Sequence, residues 1–424
     1  MGKISNINIL VLGGGGREHS ICESLKKSKN VQNIYCAPGN AGIKKIAKIA
    51  NINSYEFKHV LKFCKKNKIN FVVPGSEDYL EKGISDFLKL EGIEVIGPSK
   101  YASLLETSKY FTKKLCDLSG IKTAKWIICD DAKNAKVILK TKKFPIVIKM
   151  DSLAAGKGVL VAKKLNDANK FLDNIINGKL GSRKSKIIIE ECLYGEEGSF
   201  FFAVDGNDAK YLGSAKDYKR VGERNKGLNT GGMGCISPSP RENKKVVSSV
   251  LKEIVKPTLE NMKKLGYSFT GFLYAGVMFT KKGIYLIEYN VRLGDPECQA
   301  VLARLKTNFL DICLAIKAGT LKKLKIEKSK NISVCVVLAS KGYPEKYAKG
   351  IEIFGVNKLN NEGDVKIYHA GTKKNNHGKL LTNGGRVLNV VGKAKNIKKA
   401  LDKTYDICRK IHWKGYFYRK DIGS

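Results

Sequence analysis

Arginine is scarce in this sequence, although the chain is strongly basic. Only ten of its 78 basic residues are arginine, and the formal net charge is +39. The lysines are spread along the chain, and we find no RNP-like aromatic motif, zinc finger or basic recognition helix. The charge therefore indicates a compositional bias, and we expect no specific nucleic-acid partner. Five arginines lie in glycine-rich or charged motifs, where a planar guanidinium is useful: Arg17, Arg220, Arg292, Arg386 and Arg419.

Long apolar runs and paired cysteines are also missing. No run approaches a membrane span, and the N-terminus has no signal-peptide segment and no myristoylation site. The eleven cysteines show no C-x-x-C pair and no spacing suited to zinc, which is typical of buried cysteines in a reducing compartment. We expect a cytoplasmic protein without a membrane partner. Its length and its 43% hydrophobic content predict roughly two to four globular domains.

The first hundred residues alternate apolar runs with helical patterns, as the β-α-β units of a parallel sheet do. The runs cover residues 7–12, 33–36, 69–73 and 93–96. Each precedes a loop rich in glycine or proline, namely GGGGREH (13–19), APGNAG (37–42), PGSED (74–78) and GPS (97–99). Because open α/β sheets bind ligands beyond the carboxyl ends of their strands, these loops are expected to form a binding site.

The segment GGGGREH does not match a dinucleotide-binding fingerprint, because Glu18 stands where the third glycine of G-x-G-x-x-G belongs. Backbone amides of residues 14–16, opening a helix beside Arg17, would suit a small phosphate. A tight turn from strand to helix explains the glycines equally simply. Both interpretations stay open at this point.

A second glycine-rich segment, MDSLAAGKGVLVA (150–162), follows a predicted strand at 144–149 that ends in Lys149. It is not a Walker A loop, because Gly158 stands where Ser or Thr follows Gly-Lys. A β-hairpin flap over a triphosphate and a plain hairpin are both consistent with it. The next buried-type strand, 187–193, runs into GEEGSF, where Leu193 could offer its backbone to an adenine edge and Glu196 or Glu197 could bind ribose.

Residues 216–238, KDYKRVGERNKGLNTGGMGCISP, are predicted to form a long polar loop. Loops of this length are usually functional or disordered, and the run Thr-Gly-Gly-Met-Gly favours an ordered approach of backbone to a ligand. Residues 326–424 predict a small α+β lid, with strands at 333–339 and 386–391 and a helix through 397–411.

The segment IEYNVRLGDPE (287–297) begins as a buried strand and ends in charges. Strict alternation predicts that one face turns from apolar to charged, with Ile284, Leu286, Glu288, Asn290 and Arg292 in a row. Carboxylate and amide oxygens suit Mg²⁺, and a guanidinium forks onto phosphate. A solvated strand end is the simpler alternative.

Taken in order, these segments resemble the phosphoribosylamine–glycine ligases, also called glycinamide ribonucleotide synthetases, of the ATP-grasp superfamily. The resemblance covers essentially the whole chain. Its segments are GGGGREH, APGNAG, TSKYFTK, KMDSLAAGKGV, IIEECLYGEEGSF, KDYKR, NTGGMG, GFLYAG, IEYNVRLGDPE, GYP, HAGT, TNGGR and the RKDIG terminus. Each motif is modest, but this many in order is highly specific.

The resemblance implies an α/β and α+β multidomain fold. A Rossmann-like parallel-sheet domain for phosphoribosylamine would span residues 1–105, an ATP-grasp domain 106–325 and a small α+β domain 326–424. The implied reaction is the ATP-dependent ligation of glycine to 5-phosphoribosylamine through a glycyl phosphate, a step of purine biosynthesis. The implied cofactors are ATP and Mg²⁺ or Mn²⁺, and the implied state is a monomer.

The resemblance also implies site residues. Glu288 and Asn290 would be metal ligands, Arg292 would contact the transferred phosphate, Asp217 would hold the glycine ammonium, and Asp295 would shape the acyl-phosphate pocket. The ATP contacts would be Lys109, Lys149, Ala155, Gly156, Lys157, Gly158, Glu190, Leu193 and Glu197 or Glu196. The contacts for phosphoribosylamine and the reacting groups would be Gly15, Gly16, Arg17, Asn40, Gly231 and Gly232.

The sequence departs from the family pattern in several places. The usual G-P-E-x-P-L reads GSEDYL (75–80), which keeps Glu77 but loses both prolines, and Ser152 replaces a glycine of the ATP loop. The usual Gln-Asp-His-Lys-Arg reads KDYKR (216–220), and no second carboxylate metal ligand is evident near Tyr274. The alternatives are an ATP-grasp ligase with another acid or amine and, more remotely, a basic nucleic-acid-binding protein.

Overall fold

The first part of the chain is an open parallel sheet, as predicted from its β-α-β pattern. The computed structural model describes residues 6–153, 158–182, 184–356 and 364–424. The sheet has the order β3-β2-β1-β4-β5, and every neighbouring pair is parallel. Its elements are β1 (Ile7–Gly13), α1 (Gly16–Lys26), β2 (Val31–Pro38), β3 (Lys48–Ile49), α2 (Phe57–Lys66), β4 (Phe71–Pro74), α3 (Glu77–Glu81), α4 (Ile84–Leu90) and β5 (Glu94–Val95).

A four-stranded antiparallel sheet follows, with the order β6-β9-β7-β8. Helices α7 and α8 contact each other, and their apolar residues form one core with this sheet. The elements of this part are α5 (Leu104–Thr107), α6 (Lys109–Ser119), β6 (Trp126–Cys129), α7 (Ala132–Leu139), β7 (Ile146–Met150), β8 (Val159–Ala162), α8 (Leu165–Ile176) and β9 (Ile187–Glu191).

The largest sheet has nine strands and runs through the middle and the end of the chain. Its order is β16-β15-β10-β11-β14-β17-β21-β18, with β22 paired to β17. The elements are β10 (Glu196–Asp205), β11 (Ala209–Asp217), β12 (Arg220–Gly222), β13 (Lys226–Asn229), β14 (Gly234–Ser237), α9 (Lys244–Ser249), α10 (Lys256–Lys264), β15 (Thr270–Thr280), β16 (Gly283–Asn290), α11 (Glu297–Arg304), α12 (Phe309–Ala318), β17 (Ile332–Ser340), β18 (Val365–His369), β19 (Thr372–Lys374), β20 (Leu380–Thr382), β21 (Arg386–Ala394), α13 (Ile397–Lys410) and β22 (Tyr416–Phe417).

The last region is therefore joined to the middle of the chain by backbone pairing. Strand β14 pairs with β17 from Gly234 opposite Val336 to Ser237 opposite Ser333. The strands and helix predicted for this region are present as β17, β21 and α13. Pattern alone did not reveal that they extend a sheet that begins at β16, because strand partners lie far apart in sequence.

Residues 216–238 are not one long loop, and that prediction was wrong. They include the end of β11, the hairpin β12-β13 and strand β14. The sequence does not reveal the hairpin because its strands are short and mostly polar; β12 is half-buried and β13 is mostly exposed. Such strands carry no apolar alternation for a pattern search to find.

The side chains of strand β16 do not alternate strictly between its two faces. The prediction that Ile284, Leu286, Glu288, Asn290 and Arg292 share one face is therefore also wrong. Gly276 of β15 lies opposite Glu288, whereas Val277 lies opposite Leu286, so Ile287 has no cross-strand partner in β15. This β-bulge reverses the alternation. Leu286, Tyr289 and Val291 accordingly share one apolar core, which leaves Glu288 and Asn290 to face away from it.

No helix in the described part of the chain combines the length and the apolar character that crossing a membrane requires.

Two buried histidines join α1 to the edge strand β18. The backbone N–H of His369 donates to His19 Nδ1 at 2.8 Å, and the two rings lie 5.7 Å apart between centroids. Burial lowers the pKa of His19 to about 4 and the pKa of His369 to about 3. Both side chains are therefore neutral in the folded protein near neutral pH.

This contact predicts acid sensitivity. Histidine in the unfolded chain titrates near pH ~6.5, so unfolding takes up protons between about pH 6.5 and about pH 4. The free energy of unfolding should fall as the pH falls through that window, by about 2 kcal/mol for His19 between about pH 7 and about pH 5. His19→Gln keeps an acceptor for the His369 N–H and should remove that part of the slope in urea denaturation.

The control is His59→Gln, because His59 is exposed and should leave the slope unchanged. An unaltered pH dependence in His19→Gln would contradict the assignment.

Candidate active site

A cavity of about 260 Å³ opens where the carboxyl end of β1 meets the segment after β16. The predicted site residues Gly15, Arg17 and Asp295 line it. The rest of its lining is Gly13, Gly14, Glu18, Pro38, Tyr55, Ser76 and Tyr79. Three of the four N-terminal loops contribute, as the parallel sheet predicts.

Glu18 explains several of the glycines around this cavity. Its carboxylate accepts the Gly15 N–H at 2.5 Å and the Arg17 Nε–H at 2.7 Å. A Cβ at Gly75 would stand 1.9 Å from Glu18 Oε1, and Gly13 has a φ of +132°. The glycine-rich loop thus surrounds the buried Glu18 carboxylate. A dinucleotide-binding fingerprint does not require a carboxylate at this position.

Two residues predicted to contact phosphoribosylamine bind the protein itself. All four hydrogen bonds of the Asn40 amide go to backbone: Nδ2 donates to the carbonyls of Gly14 and His369, and Oδ1 accepts from Gly42 and Ile43. Gly16 packs closely, since a Cβ there would lie 2.2 Å from Asn389 Nδ2. These positions tie the loop in place.

Arg386 connects Asp295 to the NTGGMG loop and was missed as a site residue. Its Nη1 donates to the carbonyls of Gly231 at 2.6 Å and Gly232 at 3.4 Å, and its Nη2 lies 3.3 Å from Asp295 Oδ2. The signal in the sequence was an arginine at the end of TNGGR in a chain poor in arginine.

Arg292 lies between two carboxylates. Its Nε donates to Glu77 Oε2 at 2.9 Å and its Nη2 to Glu106 Oε1 at 2.8 Å. Burial tends to raise the pKa of Glu77, but the charges of Arg292 and Arg17 outweigh it and lower that pKa to about 2. Glu77 was noted from its motif, whereas Glu106 belongs to α5 and was missed.

The predicted metal ligands lie beside a lysine that the sequence reasoning also missed. Lys219 Nζ is 3.4 Å from Glu288 Oε1 and 3.2 Å from Glu197 Oε2. Glu196 instead pairs with Arg241 at 2.5 Å and is 55% exposed. Of the two glutamates left open as the ribose contact, Glu197 shares Lys219 with Glu288, whereas Glu196 pairs elsewhere.

The predicted nucleotide contacts form a lysine-rich wall. Lys149 Nζ lies 2.9 Å from Glu190 Oε2, and the buried Lys113, a further missed residue, lies 3.2 Å from Glu190 Oε1. Lys109 Nζ donates to the Ser152 carbonyl at 2.9 Å. Burial lowers the pKa of Lys109, although the nearby Glu288 opposes the shift.

The strand ends around this wall hold the remaining nucleotide candidates. Gly158 accepts from the Met150 N–H at 2.8 Å at the start of β8, and Leu193 follows β9. The predicted contacts Ala155, Gly156 and Lys157 lie outside the described residues.

Asp217 has an unpartnered buried oxygen. Its Oδ1 makes no hydrogen bond within the described residues, and a Cβ at Gly232 would lie 2.8 Å from it. Burial, and then the like charge of Glu297, raises the pKa of Asp217 well above its usual range. A buried carboxylate of this kind is stabilised by a cationic ligand.

Together these contacts divide the site by charge. Lysines face the predicted nucleotide region, acidic and amide oxygens stand at the end of β16, and Asp217 provides a carboxyl oxygen without a partner near Gly232. Such an arrangement can hold a polyphosphate, a divalent cation and an ammonium group at the same time.

Sequence profiles of one family match three successive parts of the chain. They are the N domain of phosphoribosylglycinamide synthetase over residues 7–106, its ATP-grasp (A) domain over 107–298 and its C domain over 333–424. A phosphoribosylamine–glycine ligase of Caldanaerobacter subterraneus is 42% identical over 419 residues, which cover 99% of this chain and all of that protein. A chloroplastic phosphoribosylamine–glycine ligase of Arabidopsis thaliana is also 42% identical, covering 96% of this chain and 78% of that protein.

Solved structures agree with these matches. The phosphoribosylamine–glycine ligase of Thermotoga maritima superposes with a TM-score of 0.85 at 32% identity and covers 98% of this chain and all of that one. A biotin carboxylase in complex with β,γ-ATP from Campylobacter jejuni shares the fold, with a TM-score of 0.73 at 16% identity over 98% of this chain and 94% of that one. The chain belongs to the phosphoribosylglycinamide synthetase family, and its central part is an ATP-grasp domain.

Proposed function

We propose that this protein ligates glycine to 5-phosphoribosylamine at the expense of ATP, giving glycinamide ribonucleotide, ADP and phosphate in purine biosynthesis. The observation that carries the proposal is the 42% identity to a phosphoribosylamine–glycine ligase along 99% of the chain. In this reaction ATP phosphorylates the glycine carboxylate, and the amine of phosphoribosylamine then attacks the acyl phosphate and displaces phosphate. Phosphoryl transfer of this kind depends on positioning and charge neutralisation, so no serine or cysteine nucleophile is needed.

The ATP phosphates would lie against Lys109 and Lys149, and Gly158 would contact them as well. The contacts predicted for Ala155, Gly156 and Lys157 fall outside the described residues and stay predictions. Backbone near Glu190 and Leu193 would accept the adenine edge. The Glu190 side chain itself forms ion pairs with Lys113 and Lys149. The backbone of its strand, and not this side chain, would therefore contact the adenine. Glu197 would bind the ribose hydroxyls.

The residues present fit a divalent cation. Glu288 and Asn290 offer a carboxylate and an amide oxygen, which hard cations such as Mg²⁺ and Mn²⁺ prefer. Among the described residues no group of three or more Cys, His, Asp and Glu side chains forms a metal site. The two ligands would therefore hold the ion jointly with nucleotide phosphates, whose charge it would neutralise.

The glycine ammonium would bind at Asp217, and its positive charge would favour the ionised carboxylate. The carboxylate oxygen left without a partner is the supporting observation, because a three-donor ammonium can satisfy it. Gly231 and Gly232 would border the glycyl phosphate beside Asp295. Arg292, held by Glu77 and Glu106, would turn its remaining N–H groups toward the transferred phosphate.

Phosphoribosylamine would enter the cavity at Gly15, Arg17 and Asp295. Asn40 and Gly16 would serve it indirectly by fixing the loop. We also propose the divisions 1–105, 106–325 and 326–424 for the three domains. A monomer in the cytoplasm stays a prediction, as does the lack of a nucleic-acid partner.

The proposal is tested by measuring ADP and phosphate release with ATP, metal, glycine and phosphoribosylamine generated in place. We expect turnover only when every substrate is present, and not when alanine or serine replaces glycine. Turnover with another acid or amine would reassign the enzyme to a related ATP-grasp ligase. No turnover under any of these conditions would refute the ligase.

Glu288→Ala should reduce turnover to roughly a hundredth or less, because it removes a charged ligand from the phosphoryl-transfer site. The circular dichroism spectrum and thermal midpoint should stay close to those of the parent, since Glu288 lies at a strand end outside the apolar cores. Glu91→Ala is the control, because Glu91 pairs with Lys65 at the surface. Near-normal activity in Glu288→Ala would overturn the metal assignment.

Asp217→Asn should raise the KM for glycine by about 30-fold or more, because the neutral amide cannot form an ion pair with the ammonium and such losses cost about 2 kcal/mol or more. The KM for ATP should change little. Asp406→Asn, at an exposed position of α13, should leave both constants unaltered. Equal increases in both KM values would argue against a glycine-specific role.

A further inference from the structure

Glu106 binds three successive residues at the end of β16, although it comes from the short helix α5 more than 180 positions earlier. Its Oε2 accepts the Val291 N–H at 2.7 Å. Its Oε1 accepts from Arg292 Nη2 at 2.8 Å and, with the amide of Asn290 turned so that nitrogen faces the carboxylate, from Asn290 Nδ2 at 2.8 Å. The Glu106 side chain is only 7% exposed.

These contacts fix which end of the Asn290 amide is free. A carboxylate only accepts hydrogen bonds, so Nδ2 must point toward Glu106 and Oδ1 must point elsewhere. The Tyr289 carbonyl, 3.2 Å from the same nitrogen, imposes the same orientation. Without Glu106 the amide would keep only the longer contact to the Tyr289 carbonyl, and an amide that turned over would present N–H groups, which repel a cation, in place of its oxygen.

We propose that Glu106 is a positioning residue for the metal: it locks the Asn290 side chain with its oxygen free for the cation. The inference rests on the proposed role of Glu288 and Asn290 as metal ligands. Glu106 would not touch the metal, the nucleotide or either substrate. Its effect would pass through the amide that it holds and through the backbone of Val291.

Metal affinity is the direct readout. Mn²⁺ binding to the full-length protein with ADP is measured by electron paramagnetic resonance for the parent and for Glu106→Gln, which keeps the shape but can donate as well as accept. Burial raises the pKa of Glu106 to about 7, against the charge of Arg292, so the titration is run at about pH 8. Removing such a partner of a metal ligand typically weakens metal binding by about 10- to 100-fold, which is the result we expect.

Two measurements separate this effect from a general loss of structure. The affinity for ADP without metal should stay within about threefold of the parent, since on this proposal Glu106 would not touch the nucleotide. Glu242→Gln is the matched control, because Glu242 also accepts from two side chains, Tyr211 and Ser214. It should disturb the fold comparably and leave Mn²⁺ affinity unchanged.

A double-mutant cycle tests the orientation itself. An aspartate at position 290 offers a carboxylate oxygen in either orientation, so it needs no partner to orient it. In the background of Asn290→Asp, the further change Glu106→Gln should weaken Mn²⁺ binding by less than about threefold. An equal loss in both backgrounds would refute the orientation mechanism, and so would unchanged Mn²⁺ affinity in Glu106→Gln alone.

The outcome is distinguishable from a failure of the proposed function. If the parent protein does not bind Mn²⁺ with ADP, the metal assignment itself fails, and this inference fails with it. If the parent binds the metal and ligates glycine, but Glu106→Gln binds Mn²⁺ equally well, only the role of Glu106 is refuted.

Discussion

The largely buried cluster of Glu77, Arg292 and Glu106 is the interaction on which the site depends. It joins α3 of the parallel-sheet region, the helix α5 and the end of β16 through one guanidinium. Removing Arg292 would leave two largely buried carboxylates unpaired, and such a loss typically costs about 3–5 kcal/mol. The cluster therefore acts mainly on geometry. Because one arginine pairs with both carboxylates, it holds the cavity at the first sheet in a fixed position relative to the oxygens at the end of β16.

The bulge at Ile287 complements this cluster. It lets Leu286 and Tyr289 pack into the same core, although regular alternation would put them on opposite faces. The reversal directs Glu288 and Asn290 away from that core, and Glu288 lies near Lys219, Lys149 and Lys109. A bulge in this position re-aims functional side chains without lengthening the strand, and Glu106 then fixes the conformation of the residues just beyond it.

Several polar residues of the motifs organise the backbone rather than await a ligand. All hydrogen-bonding groups of the Asn40 amide are paired with backbone groups. Glu18 accepts the Gly15 N–H and so holds the glycine-rich loop that surrounds the Glu18 carboxylate. Arg386 links Asp295 to the glycines of the NTGGMG loop. Asp217 is the contrasting case, because one of its buried oxygens has no partner in the described structure. An unpartnered buried oxygen at a predicted substrate position is a group that a ligand is expected to satisfy.

The sequence alone determined the local features and the family. Apolar periodicity predicted the parallel sheet and the strands β17 and β21, because side-chain alternation is a property of neighbouring residues. Thirteen motifs in order identified the family of phosphoribosylamine–glycine ligases. Tertiary structure decided the rest. The pairing of β14 with β17, the bulge at Ile287, and the partners Glu106, Lys113, Lys219 and Arg386 all depend on residues distant along the chain. A motif specifies which side chains are present, but only the folded chain determines which of them are already hydrogen-bonded and which remain free to bind.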